Sequence, residues 1–90
     1  MAGIAHLALV ADTWTNVTAA ASGSAGDDFD IQNLSETYTI QVETSVGAPS
    51  SHEFGPKLEP LKFFRAVTAP TENVWVYAAP AGMSIHIGVV

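Results

Sequence analysis

Three histidines are the side chains of this chain best suited to binding a transition metal: His6, His52 and His86. Structural and catalytic zinc sites usually draw their His and Cys ligands in pairs a few residues apart. These histidines are far apart in the sequence, none has such a partner, and the chain has no cysteine. We therefore expect no metal ligand and no cofactor, with His86 as an outward-facing residue of a strand.

A group of acids, Asp27, Asp28 and Asp30, has some of the character of a calcium-binding loop. An EF-hand loop also needs a glycine at its sharp turn and a bidentate glutamate at its end. Neither follows at the required spacing. Acids at the junction of a loop and a strand are more often solvated, so we predict no calcium site.

The types of side chain needed for nucleophilic catalysis occur together at Ser51, His52 and Glu53. Consecutive residues cannot line up as nucleophile, base and orienting acid without unusual backbone geometry. The chain has no Gly-x-Ser-x-Gly motif, and its glycine-rich stretch 22–26 is followed by acids that would repel a phosphate. A carboxylate pair stays open, but so small a domain has little room for a cleft. We expect no catalytic residue and no enzyme.

The composition is poor in charge: 90 residues are 48% hydrophobic and only 13% charged, with a net charge of −6. A domain this small exposes most of its residues, so missing charge is missing from the surface. Uncharged surface is typical of interfaces. We therefore predict one domain over residues 1–90 that forms a homo-oligomer or a larger assembly. The alternative is a monomer with a neutral surface rich in Ser, Thr and Ala.

All three basic residues lie close together in the sequence, at Lys57, Lys62 and Arg65. They are too few to neutralise a run of phosphates, so nucleic acid is not the expected partner. They could face an acidic patch on a neighbouring protein, or simply solubilise one edge. No apolar run approaches the length that spans a bilayer, and we expect no membrane contact.

The segment whose residue pattern predicts its structure most clearly is residues 28–44. Phe29 and Ile31 alternate with polar residues, residues 33–36 have the composition of a turn, and Tyr38, Ile40 and Val42 alternate again. Such a pattern is typical of a β-hairpin whose apolar side chains face a core. The sequence therefore predicts that these two strands pair, with Gln41 and Glu43 facing water or a partner.

The N-terminal segment 1–11 is apolar on both faces, with Ile4, Leu7 and Leu9 as its large side chains. We predict a docking strand or arm that packs on a neighbouring subunit or on the domain's own sheet. A short strand over 12–18 follows, anchored by Trp14, and then a flexible loop over 19–26. Residues 45–60 hold three prolines and predict one long excursion, with a brief extended piece at 51–54.

Further strands are predicted over 61–67, 74–79 and 83–90. In the first, Leu61 and Phe63 lie opposite Phe64, and two adjacent phenylalanines imply that both faces are covered. In the second, Val74 and Val76 face one way and Trp75 and Tyr77 the other. In the third, alternate residues from Ile85 onward face inward. Six or seven short strands and no credible helix predict an all-β domain, a compact antiparallel β-sandwich or small barrel.

Four aromatic residues raise the question of sugar binding, because sugars bind on exposed aromatic rings: Trp14, Tyr38, Trp75 and Tyr77. Their positions within predicted strands favour instead packing in the core and between subunits, with the indole N–H and phenol O–H bonded at the edge.

The chain as a whole resembles small β-structured virion proteins of tailed bacteriophages. The resemblance lies in the order of five segments, with Pro49, Gly55, Leu58 and Pro60 between the third and the fourth. The segments are Trp14-Thr-Asn-Val-Thr18, Asp30-Ile-Gln-Asn-Leu-Ser35, Tyr38-Thr-Ile-Gln-Val42, Val74-Trp-Val-Tyr-Ala78 and Ile85-His-Ile-Gly-Val89. It is a pattern of strands and turns that contains no catalytic signature, and no functional residue is carried over from it.

The resemblance implies a phage virion structural protein, a capsid decoration or cement protein that acts as a trimer, bridges capsomers and stabilises the head. Its partners would be itself and the major capsid protein or another virion protein, and it would reside in the virion, assembled in the host cytoplasm. The expected contact residues are Ile4, Leu7, Leu9, Trp14, Lys57, Lys62 and Arg65. The alternative is a head-fibre or tail domain that binds a host-surface glycan.

Overall fold

The computed structural model describes residues 4–10, 13–21, 23–49, 57–78 and 84–89, of which residues 4, 5 and 89 are described by their backbone alone. Eight strands and one helical turn lie in these ranges. They are β1 (Ile4–Ala8), β2 (Thr13–Asn16), α1 (Val17–Ala20), β3 (Phe29–Asn33), β4 (Ile40–Ser45), β5 (Lys57–Leu58), β6 (Phe63–Ala66), β7 (Asn73–Ala78) and β8 (Ser84–Val89).

The strands form two four-stranded antiparallel sheets, in the order β1-β8-β3-β6 for the first sheet and β2-β7-β4-β5 for the second. The two sheets are not closed into a barrel, so the domain is a β-sandwich. The strand count exceeds the predicted six or seven, because β5 has only two residues and lies within the predicted excursion over 45–60.

The pairing follows a simple rule along the chain. β1 pairs with β8, β2 with β7, β3 with β6 and β4 with β5. The chain is therefore one long antiparallel ribbon, folded so that successive pairs fall in alternate sheets. This is the jelly-roll arrangement of eight strands.

The core between the sheets is made of alternating strand residues. Phe29, Ile31, Val74 and Val76 are fully buried, as are Ile85 and Ile87 of β8. The alternation predicted for β7 is confirmed, with its valines on the inner side, and so is the inward orientation predicted for these two residues of β8. It arises because successive side chains of a strand point to opposite faces of the sheet.

The predicted hairpin is wrong. β3 pairs with β6 on one side and β8 on the other, whereas β4 lies in the second sheet between β7 and β5. The turn chemistry at residues 33–36 is real, since the Ser35 hydroxyl accepts hydrogen bonds from the N–H groups of Thr37 and Tyr38. This turn carries the chain from one sheet to the other.

Two side chains of the predicted hairpin differ from the prediction. Tyr38, predicted to face the core, is exposed because it lies in the crossover before β4 begins at Ile40. Gln41, predicted to face water or a partner, does point away from the core, since Ile40 and Val42 on either side of it belong to the core, but its side chain is buried.

A helical turn replaces the end of the strand predicted over 12–18 and the start of the loop that follows. The Asn16 side chain accepts a hydrogen bond from the N–H of Ala19 at 3.0 Å, as an N-cap residue does. Thr18 is buried behind it, and its hydroxyl accepts from the N–H of Val74 at 2.9 Å. The turn thus ties β2 to the start of β7.

No helix among the described residues is long and apolar enough to cross a membrane. The extended piece predicted at 51–54 lies outside the described residues.

Candidate functional site

The outer faces of the two sheets differ in chemistry, and strand register shows which residues share each face. Residues directly opposite one another on antiparallel strands have their side chains on the same face. On the first sheet this places His6, His86, Gln32 and Phe63 in one row, with Asp30 and Arg65 in the next. On the second it places Trp14, Tyr77, Gln41 and Lys57 in one row, with Asn16, Trp75 and Glu43 in the next.

An exposed apolar patch lies along β6, which is an edge strand of the first sheet. Phe63 is 73% exposed, and Leu61 and Val67, which flank the strand, are 52% and 66% exposed. We call these three residues the β6 patch. The sequence predicted that both faces of this strand are at least partly covered by other parts of the protein. In the described chain, Phe64 and Ala66 pack inward on one face, and Phe63 on the other face is exposed. The two adjacent phenylalanines are the feature of the sequence that could have predicted this exposure, because side chains alternate along a strand and one of the two must face outward.

Leu61 of the β6 patch has an unusual backbone, with a φ of 60°. This left-handed conformation is uncommon for residues other than glycine and costs about 1 kcal/mol or more. Leu61 is held there by its N–H, which donates to the carbonyl of Asn33 at 2.9 Å, while the N–H of Asn33 donates to Lys62 at 3.1 Å. The turn therefore holds an exposed leucine at a strained position.

The side chain of Asn33 supports this turn from inside the protein. It is fully buried, and its amide nitrogen donates to the carbonyls of Tyr38 and Leu58 at 2.7 and 3.1 Å. Its amide oxygen accepts from the N–H of Ser35 at 2.9 Å. Asn33 thereby joins the ends of β3 and β5 to the crossover that precedes β4.

The three basic residues have different environments. Arg65 makes a two-pronged ion pair with Asp30, with N–O distances of 2.8 and 3.0 Å. Hydrogen bonding to Arg65 lowers the pKa of Asp30, and the same contact raises the pKa of Arg65. Lys57 and Lys62 are exposed and have no ion pair with any described residue. Of the three basic residues, these two are therefore the ones available to bind acidic groups of a partner.

The predicted contact residues of the N-terminal segment lie on and in the domain itself. β1 forms the edge of the first sheet and pairs with β8, with Ile4 opposite Gly88. The side chain of Ile4 is outside the described residues. Leu9 is buried in the core and Leu7 packs against it, so Leu9 has little surface left for a partner.

Trp14 lies apart from these residues, on the outer face of the second sheet. Its ring meets that of Tyr77 at 5.4 Å between centroids and 56° between planes. Trp75 lies on the same face, and its indole N–H donates to the carbonyl of Ser45 at 3.1 Å. None of these three rings belongs to the core cluster, so the core part of the expected packing is wrong. The packing between subunits stays a prediction, and the polar partner expected for an indole N–H is present at Trp75.

Gln41 lies beside these rings and is only 5% exposed. Among the described residues, its amide nitrogen is the one buried side-chain polar atom without a hydrogen-bond partner. We call Trp14, Gln41, Trp75 and Tyr77 the aromatic face. Sequence patterning could not single out Gln41, because it occupies a polar position of an alternating strand like any exposed residue.

Those residues considered for metal binding that the structure describes have structural partners. His6 and His86 meet edge to face, with ring centroids 5.0 Å apart, which their distance in the sequence concealed. Asp27 accepts from the N–H of Ser24, and Asp28 from that of Thr68, both at 2.9 Å. In the described part of the chain, no group of three or more metal-ligating side chains comes together.

Ser51, His52 and Glu53 lie outside the described residues. The described surface offers an apolar patch along an edge strand, two lysines without an ion pair to any described residue and a face of aromatic rings. Comparison of the chain with protein-family models, with curated proteins and with solved structures finds no match.

Proposed function

We propose that this chain is a non-enzymatic structural protein of a phage virion, a capsid decoration or cement protein that bridges capsomers as a trimer and stabilises the head. It would act in the virion, after assembly in the host cytoplasm. The jelly-roll strand order supports the proposal, since viral capsid domains are among the proteins built this way. Many unrelated functions share one fold, so the argument depends on the surface.

The β6 patch is the observation that carries the proposal. Sheet edges of soluble proteins are normally protected by charge, proline or a covering segment, because an unpaired strand edge can pair with another chain. Here the edge segment does carry charge, at Lys62 and Arg65, but it also exposes Phe63, flanked by Leu61 and Val67. A strained leucine held in the exposed part of such a patch is consistent with a contact residue. We infer that another polypeptide covers this edge.

Attachment to the capsid would combine weak contacts. Each subunit would offer the β6 patch, with Lys57 and Lys62 near it in sequence to meet acidic groups on the capsid surface. Three linked subunits would bind far more tightly than one, because each contact raises the effective concentration for the next.

The test is to measure the molar mass of the purified chain by light scattering and its attachment to virions that carry it. We expect a trimer, and loss of association or attachment in Phe63→Ser. Val46→Ser is the matched control, since Val46 is also an exposed hydrophobic residue but follows β4 in the other sheet. A stable monomer at micromolar concentration with unchanged attachment of Phe63→Ser would overturn the proposal.

A head-fibre or tail domain that binds a host-surface glycan is the second candidate. The aromatic face is the observation that favours it, because two tryptophans and a tyrosine lie together on the outside of one sheet. A low-resolution map of the particle, showing the chain on the head or on a fibre, separates the two candidates.

A further inference from the structure

We propose that the aromatic face is a binding site for a neutral carbohydrate. In this site the rings of Trp14 and Tyr77, with Trp75 beside them, stack against the C–H face of a sugar ring, and the Gln41 amide donates a hydrogen bond to a sugar hydroxyl. The inference does not depend on where in a virion the chain resides.

The composition of the face favours a sugar over a protein partner. The outward positions of β4 and β7 are Gln41, Glu43, Ser45, Asn73, Trp75 and Tyr77. They offer rings, amides, a carboxylate and a hydroxyl, without any aliphatic side chain. The buried centre of a protein interface is also rich in aromatic residues, but it is depleted of charge, whereas this face carries Glu43 and Lys57 among its rings. A sugar instead needs flat rings for its C–H groups and planar polar groups for its hydroxyls.

The rings are held in place before any ligand arrives. Trp14 and Tyr77 pack against each other at 5.4 Å, and the Trp75 indole is fixed by its hydrogen bond to Ser45. Trp75 and Tyr77 are two residues apart on one strand, so their Cα atoms are about 7 Å apart along it. A rigid surface loses little side-chain entropy when it binds.

Gln41 supplies the second, independent observation. A buried donor without an acceptor is costly and is normally avoided. The Gln41 amide nitrogen has no partner among the described residues, and in register it lies between Tyr77 and Lys57. Lys57 is exposed and long, so its movement could open the amide to a ligand oxygen. A hydroxyl placed there would satisfy the donor.

The charge of the site points to a neutral sugar. Glu43 lies on this face opposite Trp75, and the chain has a net charge of −6. A polyanionic glycan would be repelled over most of the surface. Lys57 is the single base that register places in the described part of this face.

The test is an NMR titration of the ¹⁵N-labelled chain with neutral gluco-, galacto-, manno- and N-acetylglucosamine oligosaccharides, followed at the Gln41 side-chain amide and the two indole N–H signals. We expect saturable shifts at these signals with at least one of the oligosaccharides. Trp14→Ala and Tyr77→Ala should weaken binding about tenfold or more, a loss of about 1.4 kcal/mol.

Gln41→Met provides a variant that keeps the fold, because it removes the unpartnered donor and retains a side chain of similar length. It should fold as the parent does and bind the sugar several-fold more weakly. Phe63→Ser, on the other sheet, should bind as the parent does.

Two results would overturn the inference. One is the absence of saturable shifts with every oligosaccharide up to about 10 mM. The other is a concentration-dependent shift of the same signals without sugar, lost in Trp14→Ala, which would mean that a second copy of the chain covers this face.

Discussion

At the scale of single residues, Asn33 shows how one buried amide can organise several segments. Its side-chain nitrogen and oxygen are both paired, with partners on β5 of the second sheet and in the crossover that leads to that sheet. Removal of the side chain would leave two carbonyls and one N–H without partners in the interior. Each unpaired buried group costs stability.

Asn33→Ala should therefore lower the free energy of unfolding by about 3 kcal/mol. Chemical denaturation followed by tryptophan fluorescence measures this change. Gln32→Ala is the control from the same strand, because Gln32 faces outward and its hydrogen bond to Leu61 is long, at 3.5 Å. Its effect should stay within about 0.5 kcal/mol, and equal effects of the two variants would contradict the role given to Asn33.

The Asp30–Arg65 pair predicts a pH dependence with a definite sign. Because the hydrogen bonds from Arg65 lower the pKa of Asp30 in the folded chain, the contribution of the pair is present above the ordinary pKa of an aspartate carboxyl. It is lost as the pH falls through the lowered pKa. Both side chains are about half exposed, so the contribution is small and screened by salt.

An NMR titration of the Asp30 carboxyl measures the shift directly. In Arg65→Gln the pKa of Asp30 should rise toward the ordinary value, and in Lys62→Gln it should stay where it is in the parent. The same Asp30 pKa in the parent and in Arg65→Gln would show that the ion pair does not form in solution.

At the scale of elements, the loop before β3 is docked onto the turn between β6 and β7. Gly26 has a φ of 93°, its N–H donates to Glu72, and an added Cβ would lie 2.8 Å from the carbonyl oxygen of Pro70. Thr68 completes the contact through Asp27 and Asp28. The loop predicted as flexible is thus anchored at its end.

Gly26→Ala should destabilise the fold by about 2 kcal/mol, since it adds both a strained backbone conformation and a clash. Gly47→Ala is the matched control, because a Cβ at Gly47 would meet nothing within 4 Å, and it should change stability by less than about 0.5 kcal/mol. Thermal unfolding of both variants tests the difference. Similar melting temperatures for the two would argue against the docked loop.

At the scale of the whole molecule, the proposed trimer couples stability to protein concentration. A partner that binds only the folded chain raises its apparent stability by mass action. The melting temperature should therefore rise with protein concentration in the parent chain. In Leu61→Gly and Phe63→Ser, which remove apolar surface from the β6 patch, this rise should disappear.

Leu61→Gly is the more informative of these two variants. A glycine adopts the backbone conformation at this position without strain, so the single folded unit should not lose stability while its association weakens. Light scattering and calorimetry on the same samples separate the two effects. A variant that still associates like the parent would remove Leu61 from the interface.

Local sequence predicted the strands and their inward residues well because alternation is a property of each strand by itself. Val74 and Val76 must share a face whatever the rest of the chain does, and so must Ile85 and Ile87. The turn at residues 33–36 could likewise be predicted, because turn propensity is a property of the local residues. The low content of charged residues is also known from the composition alone.

Only the tertiary structure decided which strands pair, because pairing depends on which sheet edges other segments leave free. β3 is flanked by β8 and β6, which come much later in the chain, so its neighbour β4 is sent to the other sheet. The pairing of β4 with β7 and β5 placed Gln41 between Tyr77 and Lys57, and the pairing of β2 with β7 brought Trp14 against Tyr77. Register between distant strands is set by the packing of the whole core, and no local pattern contains it.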